Sequence, residues 1–153
     1  MTLFCLDTIE FRPFTNIHEY RMAKSIFANA FTHTSFTRAD MIRAWVNCDR
    51  TQSLAFYSSR SKEMIGFILI QTCDPGKSYI KYLAIGEKWR GYGLGTIVMK
   101  KIMRFYQSKG ISLEVIPLLP VLSWYESLGF KMSHKYTYYF HRYGTRSQTK
   151  ALQ

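Results

Sequence analysis

The sequence lacks the residue patterns that mark several classes of protein. Its three cysteines, Cys5, Cys48 and Cys73, lie far apart and form no C-x-x-C pair, so neither a disulfide framework nor a zinc ribbon is indicated. The four histidines show no metal-ligand spacing such as H-E-x-x-H, and we expect no metal. No apolar run approaches the ~18 residues of a transmembrane helix. We therefore expect a cytoplasmic protein with reduced thiols and no membrane partner.

Acidic residues are also scarce. The chain has 10 Asp and Glu residues against 21 Lys and Arg residues, which gives a formal net charge of +11. This surplus favours an anionic partner but says nothing about the fold. It is unevenly spread, because residues 74–110 carry a net charge of +6 and residues 131–153 carry five basic and no acidic residues. A solvated basic face is the alternative interpretation of each cluster.

What the sequence has is enough apolar material for one core. Of its 153 residues, 47% are hydrophobic and 16% aromatic, which is typical of a folded globular chain. No repeat or linker interrupts it, so we predict a single domain over residues 1–153. Residues 144–153 have the composition of a flexible basic tail.

Hydrophobic periodicity predicts the element order β-α-α-β-β-β-α-β-α-β. A helix is predicted to begin near Thr37, with Asp40 at the third helical position completing a cap. The apolar runs at 53–59 and 64–73, joined by a short polar stretch, predict a hairpin. A strand, helix and strand in the middle of the chain predict a locally parallel pair of strands. The segment 130–143 is predicted to be one final aromatic strand.

A glycine-rich turn, W-R-G-Y-G-L-G-T at 89–96, lies between the fourth strand and its helix. Three glycines within five residues let backbone N–H groups converge, and the helix adds its positive dipole end, which together suit a phosphate group. The lysine of a P-loop is absent and the Rossmann spacing is not met, so ATP and dinucleotides are poorly supported. A tight turn from strand to helix is the alternative.

Two motifs carry a family resemblance. R-G-Y-G-L-G at 90–95 is similar to the acetyl-CoA signature R/Q-x-x-G-x-G/A of the GNAT N-acetyltransferase superfamily, and W-Y-E-S-L-G-F at 124–130 resembles its second landmark. The resemblance implies an α/β GNAT-like fold: a central, mostly antiparallel mixed sheet with the fourth and fifth strands parallel, and flanking helices. It also implies acetyl-CoA as acetyl donor, bound by Leu83, Ala84, Ile85, Arg90, Gly91, Tyr92, Gly93, Leu94, Gly95 and Thr96.

The resemblance implies two catalytic residues. Tyr125 falls on the family's tyrosine and is the candidate general acid, because a phenol stays protonated at neutral pH; a core tyrosine beside Trp124 is the alternative. Glu114, in L-E-V, is the candidate base, because the ribosomal-protein alanine N-acetyltransferase branch carries the same L-E-V ahead of Y-E-S-L-G-F. A solvent-facing strand carboxylate, with water-relayed deprotonation, is the alternative. The loop P-L-L-P at 117–120 is one residue shorter than in that branch.

The function expected from the resemblance is acetyl transfer to a primary amine, with a protein N-terminus or a lysine favoured. The aromatic and basic segment 131–153 keeps RNA open as a partner, including aminoacyl-tRNA as acceptor. Small amines, and a non-catalytic nucleic-acid-binding or regulatory module with the same fold, are further alternatives. The protein is expected to be a monomer or a homodimer.

Overall fold

The structure, a computed structural model, describes residues 9–31, 34–74, 76–134 and 137–140. The strands are β1 (Ile9–Pro13), β2 (Leu54–Ser58), β3 (Met64–Asp74), β4 (Lys77–Ile85), β5 (Ser112–Val115), β6 (Lys131–His134) and β7 (Thr137–Phe140). The α-helices are α1 (Ile17–Ala30), α2 (Arg38–Asn47), α3 (Leu94–Ser108) and α4 (Leu122–Ser127). The predicted element order is confirmed as far as α4.

Hydrogen-bonded strands follow the order β1-β2-β3-β4-β5-β7-β6. The pairs of β1 with β2, β2 with β3, β5 with β7 and β6 with β7 are antiparallel, whereas β4 and β5 are parallel, with Lys77 opposite Ser112 and Ile80 opposite Val115. The chain needs α3 as a crossover to make this parallel pair. The predicted mixed, mostly antiparallel sheet with one parallel pair is therefore confirmed.

The prediction of one continuous final strand is wrong. The chain forms two strands here, and β6 pairs antiparallel with β7, with Met132 opposite Tyr138. Sequence periodicity missed the reversal because the segment has no glycine, proline or Asn-Gly pair to signal a turn. Residues 141–143 of the predicted strand, and the predicted tail at 144–153, lie outside the described residues.

Contacts divide the described chain into two compact units. The N-terminal unit takes in the described residues up to Gln71 together with Lys81–Val98, and the C-terminal unit takes in Thr72–Ile80 together with the described residues from Met99 onward. The N-terminal unit buries one apolar cluster formed by α1, α2 and one face of strands β2, β3 and β4. Its largest members include Phe14, Phe27, Met41, Trp45, Phe67 and Tyr82.

The C-terminal unit is built around β5, all four of whose residues are buried. In α3 the buried residues form a stripe with basic side chains exposed opposite, as the helical pattern predicts. The spacing of Leu94, Ile97, Val98, Ile102 and Phe105 in the sequence predicts that these residues share one helical face, but Phe105 is 53% exposed. The stripe is centred on the column of Val98, Ile102 and Tyr106, and Phe105 lies at its edge, where Lys109 covers the ring.

The first two helices begin at residues that cap them. Asn16 accepts a hydrogen bond from the N–H of Glu19, and Thr37 forms a full capping box with Asp40, which confirms the predicted start of α2. None of the helices in the described ranges combines the length and the apolarity needed to cross a bilayer.

A buried carboxylate joins α1 to the sheet in the N-terminal unit. Glu19 accepts hydrogen bonds from the N–H of Thr15 at 2.9 Å, from the hydroxyl of Thr15 at 2.7 Å and from the Tyr57 hydroxyl at 2.9 Å. Burial raises the pKa of Glu19, but these donors outweigh it and hold the pKa below the ordinary value of 4.5. The folded state therefore favours the ionised carboxylate.

Glu19→Gln should lower the free energy of unfolding by about 1–3 kcal/mol at pH 7, because the amide places a donor against the donors that face the carboxylate. Since the pKa is depressed in the folded state, this contribution is present above pH ~4.5 and is lost as the pH falls through the folded-state value. Urea denaturation between pH 7 and pH 3 measures it. Glu63→Gln, at an exposed pair with Lys88, is the matched control; equal losses in both variants would contradict the assignment.

Candidate functional site

The glycine-rich turn follows β4 in the N-terminal unit. Gly86 donates its N–H to the carbonyl of Ile65 at 2.7 Å, and a single 3-10 turn, Glu87–Trp89, follows with Trp89 buried. Gly91 and Gly93 then adopt φ angles of +86° and +73°, a region that L side chains rarely occupy. The chain thus turns sharply into α3.

The turn has the space and the donors that an anionic group requires. A Cβ atom built on Gly91 or Gly93 would meet no heavy atom within 4 Å among the described residues. The carbonyl of Gly93 accepts a hydrogen bond from the N–H of Ile97 at 3.1 Å, so the helical bonding of α3 begins here. The N–H groups of the first helical turn have no acceptor within the helix and sit at its positive end. This arrangement suits an anionic group such as a phosphate; that it holds the pyrophosphate of acetyl-CoA stays a prediction.

Arg90 braces the turn from the side. Its Nε donates to the carbonyl of Ile85 at 2.9 Å, and its Nη2 donates to Oδ1 of Asn29 at 2.9 Å. Asn29, in α1, donates its amide in turn to Glu87 at 3.1 Å. The sequence predicted Arg90 as a phosphate contact, which stays a prediction; it gave no signal for Asn29, which lies 61 positions away along the chain.

The other predicted donor-binding residues lie at the end of β4 and the start of α3. Ala84 faces the apolar cluster with α1 and α2, whereas Leu83 and Ile85 are half-buried. Tyr92, between the two glycines with positive φ, is 45% exposed. All ten predicted donor-binding residues therefore fall within one short stretch of the N-terminal unit.

Tyr125 lies in α4 of the C-terminal unit and is only 5% exposed. Its ring lies 4.9 Å from that of Trp124 and 5.2 Å from that of Phe130, centroid to centroid. Burial raises the pKa of Tyr125 well above its ordinary value of 10, and Tyr79 on β4 raises it further. The hydroxyl is consequently neutral and able to donate a proton at physiological pH.

Glu114 lies on β5 of the same unit and is 8% exposed, so it is not a solvent-facing carboxylate. Its backbone pairs with Tyr79 on β4 and with Tyr139 on β7. Lys77 places its Nζ 3.6 Å from Oε1. Within the described part of the chain, neither Oε1 of Glu114 nor the buried hydroxyl of Ser112, two residues before it, has a hydrogen-bond partner. Glu114 can therefore accept a proton or a hydrogen bond.

No role was assigned to Lys77 or to Tyr79 from the sequence. Both become informative only through the parallel register of β4 and β5, which sets Lys77 opposite Ser112 and Tyr79 opposite Glu114. Across the described ranges, no group of three or more His, Cys, Asp or Glu side chains is placed to hold a metal ion.

The sequence profile of the acetyltransferase (GNAT) family matches residues 17–130, well over half of the chain. The chain belongs to the GNAT family. Among curated proteins, none matches this sequence significantly. The GNAT fold is also found in solved structures with low sequence identity to this chain, and these similarities show the fold.

Three solved structures illustrate the shared fold. Tetrahymena GCN5 matches with a TM-score of 0.67 at 18% identity, covering 82% of this chain and 81% of that one. A GNAT acetyltransferase from Brucella melitensis, solved with acetyl-CoA, has a TM-score of 0.65 at 14% identity and covers 86% of each chain. The ribosomal-protein alanine N-acetyltransferase of Escherichia coli has a TM-score of 0.64 at 15% identity, covering 82% and 79%.

As a GNAT protein, the chain is an acetyl-CoA-dependent N-acetyltransferase, and acetyl-CoA is its acetyl donor. The predictions of the fold, the enzyme class and the donor are confirmed.

Arg90→Lys and Asn29→Ala should each weaken acetyl-CoA binding by about fivefold, because lysine cannot bridge Ile85 and Asn29 together and alanine removes the second acceptor. Calorimetric titration with acetyl-CoA measures the effect. Arg12→Lys, at an exposed pair with Glu10, is the control. Affinities equal to that of the wild type in both variants would show that the brace does not support the turn.

Proposed function

We propose that this GNAT enzyme transfers the acetyl group of acetyl-CoA to a primary amine of a protein or peptide, an N-terminus or a lysine side chain, by direct attack of the amine. Tyr125 is the general acid and Glu114 the general base. The observation that carries the proposal is the buried, neutral phenol of Tyr125 at the family's tyrosine position. Acetyl-CoA supplies an activated acetyl group whose transfer releases the thiolate of CoA.

The chemistry requires three proton movements, because an ammonium acceptor loses two protons on becoming an amide and the leaving thiolate gains one. The acceptor arrives as an ammonium group and must lose a proton before its nitrogen can form the new C–N bond. As that bond forms, the C–S bond breaks and leaves a thiolate, which must gain a proton. Tyr125 supplies the proton that the thiolate gains, because its phenol is protonated at neutral pH, and the second proton of the acceptor nitrogen then restores the phenol.

Glu114 takes up the first proton, either directly or through one relayed water molecule. Its carboxylate is buried, and Lys77 is the nearby positive charge that compensates it. The free acceptor capacity of Oε1 supports this role, because a buried carboxylate oxygen without a donor gains a hydrogen bond when an ammonium group or water reaches it.

A protein acceptor is favoured by two observations. L-E-V at 113–115 and Y-E-S-L-G-F at 125–130 follow the pattern of the ribosomal-protein alanine N-acetyltransferase branch, whose Escherichia coli member has the same fold. The net charge of +11 disfavours polycationic small amines. Incubation of fractionated lysate with labelled acetyl-CoA tests the acceptor class. We expect label in the protein fraction; label confined to RNA or to small molecules would overturn a protein acceptor.

Tyr125→Phe should lower kcat by about 100-fold or more while leaving the affinity for acetyl-CoA within about twofold, because the ring packing is kept and only the proton is removed. Release of CoA thiol in the presence of the acceptor gives kcat, and calorimetry gives the affinity. Tyr106→Phe, a buried tyrosine in α3, is the control. Turnover equal to that of the wild type would remove Tyr125 from the acid role.

Glu114→Gln should lower kcat at least about tenfold with little change in acetyl-CoA affinity, because the amide cannot accept the ammonium proton. Steady-state kinetics measure the loss, and thermal melting separates it from instability. Glu126→Gln, exposed in α4, is the matched control. A variant that melts at a lower temperature but turns over at the wild-type rate would assign Glu114 a structural role with Lys77.

A further inference from the structure

A groove of about 510 Å³ lies between α1 and α2 in the N-terminal unit. It falls within the range of volumes typical of ligand sites. Its lining combines an apolar floor with a basic rim and contains none of the residues assigned above to acetyl-CoA or to proton transfer. The floor is formed by Phe27, Phe31, Phe36 and Met41, and the rim carries Arg21, Lys24 and Arg38.

The floor offers apolar surface rather than flat aromatic faces. Phe27 and Met41 are buried, and Phe31 and Phe36 are half-buried. The rings pack against one another, with centroids 4.8 Å apart for Phe27 and Phe31 and 5.5 Å apart, edge to face, for Phe31 and Phe36. Such a surface suits one inserted apolar side chain better than a stack of nucleobases.

The rim is a cluster of positive charge without compensation. In the described ranges, no carboxylate lies within ion-pair distance of any of its three basic side chains; four other cations of this unit are paired, whereas Arg50, Arg60, Lys81 and Arg90 are not. The paired ones are Arg12, Arg43, Lys62 and Lys88. Asp40, the acid nearest in sequence to Arg38, is already bound by Thr37 and Arg43. The rim is therefore available to an external anion.

The length of the groove indicates the size of its ligand. Its lining runs from Arg21 to Phe31 along α1, which corresponds to about 15 Å at the rise of an α-helix. An extended chain of about four or five residues covers the same distance. The phosphates of the donor need no part of this surface if the turn at 89–96 holds them as predicted.

We propose that the groove between α1 and α2 docks an acidic peptide segment that carries one large apolar side chain. The apolar side chain packs on the floor, and flanking carboxylates pair with Arg21, Lys24 and Arg38. Charge complementarity selects the acidic residues, and the floor selects the apolar one. This goes beyond the transfer reaction, because it assigns a binding surface that is separate from the residues proposed for catalysis.

The test measures binding of a fluorescein-labelled peptide, Glu-Asp-Phe-Glu-Asp, to the full chain by fluorescence anisotropy. We expect saturable binding that weakens as salt rises from about 50 to 200 mM. Replacing the phenylalanine of the peptide by alanine should weaken binding, and the basic peptide Arg-Arg-Phe-Arg-Arg, which carries no lysine and is labelled at its N-terminus, should not bind. Failure of the acidic peptide to bind, or equal binding of the basic peptide, would overturn the proposal whether or not the enzyme transfers acetyl groups.

Charge-reversal variants test whether the peptide binds in the groove. Arg21→Glu and Arg38→Glu should each weaken peptide binding by about tenfold, whereas Arg60→Glu, an exposed residue outside the groove with the same change in charge, should not. Should a reversal unfold the chain, Arg21→Gln and Arg38→Gln provide the same comparison. Equal losses in the control and the groove variants would overturn the assignment. Tighter binding of single-stranded RNA, lost in the same groove variants, would also overturn it.

Discussion

The peptide group between Ile85 and Gly86 is the constraint on which the donor-binding half of the protein depends. Its N–H is held by the carbonyl of Ile65, and its carbonyl is held by the guanidinium of Arg90. Because both polar atoms of this peptide group are hydrogen-bonded, the end of β4 is held in place, and the chain turns after it. Gly91 and Gly93 make that turn in a backbone region that other residues rarely adopt, and α3 begins directly after it. The geometry of the proposed anion-binding turn is thus a consequence of how β4 ends.

The two proposed catalytic residues are polar groups buried in the C-terminal unit. Placing Glu114 and Tyr125 out of solvent carries a desolvation penalty, and the two residues respond differently. The phenol stays neutral, with its pKa raised by burial, whereas the carboxylate has Lys77 nearby to balance its charge. The C-terminal unit therefore buries both of the residues that we propose as proton donor and proton acceptor.

Sequence could predict what local chemistry decides. The capping box of Thr37 and Asp40, the glycine turn and the parallel crossover each follow from short patterns, and all three are present. It could not predict contacts that arise from topology, such as the bridge from Asn29 to Arg90. It also missed the reversal between β6 and β7, because a stretch of aromatic and basic residues contains no turn signal. The five basic residues of 131–153 fall mostly outside the described residues. What is said of their positive charge therefore rests on the sequence alone.

The central claim is that the glycine turn holds the pyrophosphate of acetyl-CoA, and one calorimetric comparison tests it directly. Gly93 and Gly76 share a positive φ, and a Cβ on either meets nothing within 4 Å of the described atoms, yet only Gly93 lies in the proposed cradle. Valine at each position imposes similar backbone strain. The account predicts that Gly93→Val loses most of its affinity for acetyl-CoA while Gly76→Val binds like the wild type. Equal affinity in the two variants would contradict it.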